Sequence, residues 1–204
     1  MSSFIPVPQG SIATIVTHLE MAAAPLNTAP VMPMPDLVLE LMPLPDLDWY
    51  KDIYRRIGEE WLWFSRLMMS DEQLAAAIHA PGVTVYRLQD SSGDIGLLEL
   101  DWREKPDCEI VFFGVVEQAI GGGIGRWLMA EAQRLAFEQG EAERLWLHTC
   151  TLDHPRALPF YLRQGFKPFR REIEVAPDPR LSGDVRADAA AFHPIIGEPF
   201  PSQS

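Results

Sequence analysis

Residues Glu109 to Leu128 read EIVFFGVVEQAIGGGIGRWL, and how they are read decides the fold. Ile110 to Val116 is a run of β-formers bounded by a glycine cluster and too short to cross a bilayer, so a buried strand is expected. Gly121, Gly122 and Gly123 then allow the backbone to approach a ligand closely. From Ile124 the apolar residues recur at Trp127, Leu128, Ala132 and Leu135, one face of a helix. Strand, glycine loop and helix N-terminus together make an anion site, because unpaired N–H groups and the positive end of the helix dipole converge there.

Two common glycine-rich motifs fail residue by residue. A P-loop needs Gly-Lys-Ser/Thr, whereas Gly125 is followed by Arg126 and Trp127. A dinucleotide fingerprint starting at Gly121 or Gly123 needs a third glycine at Arg126 or Leu128, and it normally opens its domain. The stretch Ile120-Gly121-Gly122-Gly123-Ile124-Gly125 followed by Arg126 resembles instead the Arg/Gln-x-x-Gly-x-Gly/Ala loop of the GNAT superfamily of acetyl-CoA-dependent N-acetyltransferases. An earlier register starting at Gln118 also satisfies the bare pattern, but only the later one places the helix as the family does. The departure is Ile120, where the family has Arg or Gln. The resemblance therefore assigns acetyl-CoA to Val115, Val116, Gly121, Gly122, Gly123, Ile124, Gly125 and Arg126, with backbone N–H groups and Arg126 as the phosphate donors.

A second segment, His154 to Phe166, is similar to the family's Asn-x-x-Ala-x-x-x-Tyr-x-x-x-Gly-Phe element, with Tyr161, Gly165 and Phe166 at the matching spacing. His154 stands where Asn is usual and joins the implied cofactor residues. Pro159 falls inside the expected helix and removes a hydrogen bond, which predicts a short or distorted helix.

Working outward, Leu37 to Leu41 is expected as the first core strand. A helix capped by Asp46 follows, carrying Trp49, Tyr50, Ile53, Tyr54 and Ile57, and then a second helix capped at Ser70. Strands are expected at Val83–Leu88 and Ile95–Trp102 about a Ser91-Ser92-Gly93-Asp94 turn, then at Arg144–Leu147 and Phe166–Val175. This order matches the α+β GNAT fold, a mixed and mostly antiparallel sheet flanked by helices. Thirteen of the eighteen prolines lie outside residues 46–175. The expected division is a Pro-rich extension over 1–36 with an added strand at Ala13–Met21, an acetyltransferase domain over 37–175 and a tail over 176–204.

A net charge of −12 disfavours nucleic acid and anionic membranes, whose binding rests on Lys and Arg, and favours a cationic acceptor such as an amine. Cys108 and Cys150 form neither a disulfide framework nor a metal-ligand spacing, so no metal is expected. No apolar run approaches 18 residues, and the cytoplasm is the default location. The expected partners are acetyl-CoA and an amine acceptor, with a homodimer admitted.

Acetyl transfer to an amine needs a base, because an amine of pKa ~10.4 is almost wholly protonated at neutral pH. It also needs an acid for the departing thiolate and a donor for the oxyanion. Resemblance to the strand of histone-acetylating members points to Glu109 as the base, with Glu99 and Asp101 as competitors. Pairing about Lys105 sets Asp101 opposite Glu109, and facing carboxylates raise the pKa of at least one. Resemblance makes Tyr161 the acid and a main-chain N–H near Val115 the oxyanion donor. Trp61, Trp63, Phe64, Met68 and Met69 divide between core and an apolar wall for the acceptor. Cys150 is weighed as an acetyl carrier, with direct transfer preferred. The alternative of another class is a non-catalytic acyl-CoA-binding or sensing module.

Overall fold

The computed structural model describes residues 4–22, 31–139 and 142–198. Seven strands form one sheet in the order β2-β3-β4-β5-β6-β1-β7. They are β1 (Ser11–Ala22), β2 (Val38–Met42), β3 (Val83–Asp90), β4 (Gly93–Asp101), β5 (Asp107–Val115), β6 (Arg144–Cys150) and β7 (Lys167–Pro177). Helices α1 (Leu47–Gly58) and α2 (Asp71–Ile78) lie between β2 and β3; α3 (Ile124–Arg134) joins β5 to β6, α4 (Ala157–Arg163) joins β6 to β7, and α5 (Pro179–Ser182) follows β7.

Every neighbouring pair is antiparallel except β5 and β6. The exception follows from the connection: α3 is a crossover helix, which returns the chain in the direction it left. β4 is covered on both faces, so Leu97, Leu98 and Leu100 are all fully buried and its sequence does not alternate. One face carries Glu99 and Phe112 against Tyr50 and Tyr54 of α1. The other carries Tyr86, paired with Leu98, beside Trp127 and Arg134 of α3.

The helix starts follow local chemistry. Asp46 accepts the Trp49 N–H at 2.9 Å, and Ser70 with Gln73 forms a reciprocal capping box. Pro159 is in the first turn of α4, where its missing N–H would have had no intrahelical partner. The short helix expected there is present, but the proline loses it no hydrogen bond.

Ala13–Met21, read from sequence as an added strand in an extension, falls within β1, which lies inside the sheet. β1 pairs through Val16–Ala22 with Arg144–Cys150 of β6 and through Ser11–Glu20 with Lys167–Pro177 of β7. β6 and β7 share no ladder of their own. β1 therefore satisfies the facing edges of both, and Leu19 is fully buried. A chain starting at Leu37 should lose cooperative urea unfolding and bind a hydrophobic dye, whereas one starting at Gly10 should unfold as the full chain does. Equal cooperativity in the two would support a folding unit that starts at Leu37.

Candidate active site

β5 and β6 run side by side only from Asp107–Ile110 against Arg144–Leu147, and then part. The parting has a local cause. Leu100 pairs with Ile110 and Glu99 with Phe112, so Val111 is an extra residue that bends β5 away from its neighbour. Beyond the bulge the Val116 N–H donates to the Ile95 carbonyl at 2.9 Å, toward β4. Because N–H groups alternate sides along a strand, that of Val115 points the other way, into the gap left by β6. Val116 itself is fully engaged: its carbonyl accepts from Ala119 at 2.9 Å and its side chain is buried.

The gap opens into a cleft of about 2190 Å³, large enough for a cofactor-sized molecule and an acceptor together. One end is the glycine loop. Gly121 (φ +110°) and Gly123 (φ +88°) occupy the left-handed region that favours glycine, and Gly123 caps α3 without any side-chain bond. The first helical bond is Trp127 N–H to Gly123, so the N–H groups of Ile124, Gly125 and Arg126 have no intrahelical acceptor. A Cβ added at Gly121, Gly122 or Gly125 would meet no atom within 4 Å. The cradle fits a polyphosphate group, held by backbone N–H donors and the α3 dipole. Of the residues expected at the cofactor, Val115, Gly121, Gly122, Gly123, Gly125, Arg126 and His154 line this cleft, while the side chain of Ile124 is buried in the core.

Charge placement adds to the cradle. Among the described residues, five arginines have no acidic partner: Arg55, Arg126, Arg156, Arg163 and Arg171. The first four line the cleft. In a chain of net charge −12, cations left unpaired around one cleft favour an anionic ligand there. Arg156 and Arg163 flank α4 and supply positive charge that the motif position Ile120 does not.

The other end is aromatic. Trp61, Trp63, Phe64 and Met69 line it, whereas Met68 does not. Phe112 stacks among Tyr54, Trp63 and the Arg66 guanidinium, with centroid distances of 4.9, 5.4 and 5.1 Å. Asp153 ties this wall to the end of β6, accepting from Trp63 Nε1 at 3.1 Å, Thr149 Oγ1 at 2.6 Å and the Cys150 N–H at 2.9 Å.

The three carboxylates considered as bases have different surroundings. Glu99 is 1% exposed and accepts from the Tyr50 hydroxyl and, at 2.5 Å, from Arg66 Nη2. Burial raises its pKa against the pull of Arg66, yet the pair locks it in the core away from the cleft wall. Asp101 does pair with Glu109 across the sheet, but it is not the carboxylate whose pKa rises. Burial works upward on it, and Arg103, bonded to both its oxygens, overcomes that and holds it below the ordinary range. Glu109 is off the cleft wall too. Its Oε1 lies 3.5 Å from Nδ1 of His148, which is on the wall.

Tyr161 lines the cleft beside Phe113, Phe160 and Phe166. Burial pushes its hydroxyl pKa up, with Asp153 adding to the rise, so the group is a proton donor at neutral pH. Burial raises the Cys150 thiol as well, which leaves little thiolate for a covalent route.

Sequence reasoning missed the segment after β7. Arg186, Ala190, Ala191 and Phe192 line the cleft, and Phe192 packs on Trp61 at 6.0 Å, which packs on His154 at 4.7 Å. Arg186 pairs with Glu59 at 3.1 Å and with Glu60. The segment is held by Arg180, which is buried, pairs with Asp178 at 2.7 Å and donates to the carbonyls of Ala189 and His193 at 3.1 and 2.8 Å. A signal was available: Asp178-Pro179 is a helix start and Gly183 a helix stop, both present in α5.

The chain belongs to the GNAT family of acetyl-CoA-dependent N-acetyltransferases: residues 46–166 match the Acetyltransferase (GNAT) family. Among curated proteins, none matches it. The solved structures it resembles include a GCN5-related N-acetyltransferase from Kribbella flavida, at TM-score 0.54 and 16% identity over 83% of this chain and 60% of that one. Another, from Sphaerobacter thermophilus, has TM-score 0.59 and 14% identity over 80% and 51%. An IAA acetyltransferase from Bacillus cereus ATCC 14579 has TM-score 0.51 and 22% identity over 66% and 79%. The chain thus spans about half to three-fifths of the length of the first two. Among the described residues no helix is long and apolar enough to cross a membrane.

Replacing Arg180 by Met would leave Asp178 buried without its cation. A loss of about 3 to 5 kcal/mol in urea unfolding is expected, with faster hydrogen exchange across residues 184–193. Unchanged exchange there would mean that packing of Val185 and Ala189 holds the segment instead.

Proposed function

We propose that the protein moves the acetyl group of acetyl-CoA directly to a primary amine whose carbon skeleton next to the nitrogen is apolar or aromatic. The observation that carries this reading is the joining, in one cleft, of the α3 glycine cradle and the aromatic wall of Trp61, Trp63, Phe64 and Phe112. Acetyl-CoA, when bound, supplies the thioester. The N–H groups at the start of α3 and Arg126, Arg156 and Arg163 hold its phosphates, and the Val115 N–H faces the place where oxyanion charge develops. Tyr161 gives its hydroxyl proton to the departing sulfur. Glu109 belongs to the base side of the reaction through its contact with His148. The resemblance of its strand to that of histone-acetylating members lends weight to a protein lysine as acceptor, while the enclosing aromatic wall favours a small molecule. A cytoplasmic location remains part of the proposal.

Thermal unfolding with and without acetyl-CoA tests the binding half. A ligand at a hundred times its dissociation constant adds about 2.7 kcal/mol, and replacing Gly125 by Val should abolish most of that shift. Thiol release against amines tests the chemistry. Tyr161→Phe should slow it about 10- to 100-fold with acetyl-CoA affinity unchanged. Binding with no release from any amine would favour a non-catalytic acyl-CoA sensor.

A further inference from the structure

The parallel ladder between β5 and β6 ends at Ile110 and Leu147, and the next residue of β6 is His148. His148 therefore stands at the vertex where the two strands part, on the cleft wall, with its side chain 46% exposed. Behind it, Glu109 is the last acidic residue of β5 before the bulge, and its side chain is 20% exposed. The 3.5 Å separation of Nδ1 and Oε1 makes this an ion-pair contact rather than a well-formed hydrogen bond. With Nδ1 facing Glu109, Nε2 is the ring nitrogen left without a hydrogen bond to any described residue.

We propose that His148 takes the proton from the acceptor amine, and that Glu109 is a positioning residue acting through it. The assignment rests on the transferase reading above. As the amine nitrogen bonds to the acetyl carbon and the carbon–sulfur bond breaks, the nitrogen's proton passes to Nε2 of His148. The sulfur takes the Tyr161 proton, and exchange with solvent returns His148 and Tyr161 to their starting states.

The surroundings of His148 suit a group that must carry a proton briefly. Glu109 faces it from β5, Glu174 from β7 and Asp153 from the turn after β6. The His18 ring of β1 lies 5.7 Å away and is itself bonded to Glu172 at 2.8 Å, and Glu172 also pairs with Arg170. The Glu109 carboxylate raises the His148 pKa against the effect of burial, and Asp153 and Glu174 add to the rise. The sign is then definite. His148 accepts a proton only when neutral, so activity should fall as pH drops through a pKa above the ordinary histidine value of ~6.5.

Three variants of the full chain decide the matter, with acetyl-CoA and 2-phenylethylamine, tryptamine and a lysine peptide as acceptors. His148→Gln should lower kcat/KM for the amine about 100-fold, reduce the acid limb of the pH profile to the amine's own titration and leave acetyl-CoA affinity intact. Glu109→Gln should move that limb to lower pH with the same amine, so that the amine's own titration cancels. It should move the His148 imidazole titration, followed by NMR in the free protein, in the same direction. Cys150→Ser, next but one along β6, should do neither. A His148→Gln protein within twofold of the parent, with its acid limb in place, overturns the assignment. So does a His148 titration that Glu109→Gln does not move. Silence from the parent protein across all the amines, with acetyl-CoA still bound, overturns the transferase reading and the base with it.

Discussion

The separation of β5 from β6 is the constraint on which the rest of the site depends. A sheet satisfies its backbone by pairing every strand on both edges, and here two central strands stop pairing after four residues. The Val111 bulge creates the parting, and a Val115 N–H that faces the gap is its consequence. Such a gap is tolerable only beside a cleft that admits water or a ligand. The rest of the fold therefore has to hold the two halves of the sheet in place around it.

Two pieces of chain outside residues 46–166 do much of that holding. β1 fills the space between β6 and β7, so the half-sheet that carries His148 is three strands wide rather than one strand and a detached edge. The segment after β7 closes the aromatic end, clamped by a buried arginine whose guanidinium serves one carboxylate and several carbonyls. Burying that cation is tolerable because nearly every N–H it carries finds an acceptor. Asp153 works likewise on the facing wall, joining Trp63 to the end of β6.

Electrostatics divides the cleft into two functions. Arg126 at the glycine loop and Arg156 and Arg163 at α4 have no carboxylate partner among the described residues, while beside the aromatic wall Arg66 and Arg186 are paired with Glu99, Glu59 and Glu60. Paired cations are weak anion receptors; unpaired ones beside a helix N-terminus are strong. The same sorting separates the three carboxylates first considered as bases. Glu99 is bound into the core by Arg66, Asp101 is held by Arg103, and Glu109 alone faces an imidazole on the cleft wall.

The amino-acid sequence by itself determined the element order over residues 37–175, the helix caps at Asp46 and Ser70, and the glycine loop that starts α3, and the α+β sheet came with the family resemblance that this order carries. These are set by neighbours within a few residues: side-chain period, capping chemistry and the freedom of glycine at positive φ. The facing of Asp101 and Glu109 was legible for the same reason, because a short turn fixes register. Only the tertiary structure decided where residues 11–22 go, that Arg186 and Ala190 to Phe192 wall the cleft, and which arginines remain unpaired among the described residues. It also decided that His148, which alone in the sequence resembles a structural histidine, has Glu109 behind it. Those outcomes join residues tens of positions apart, through strand order and charge pairing, and no local pattern records a partner that far away.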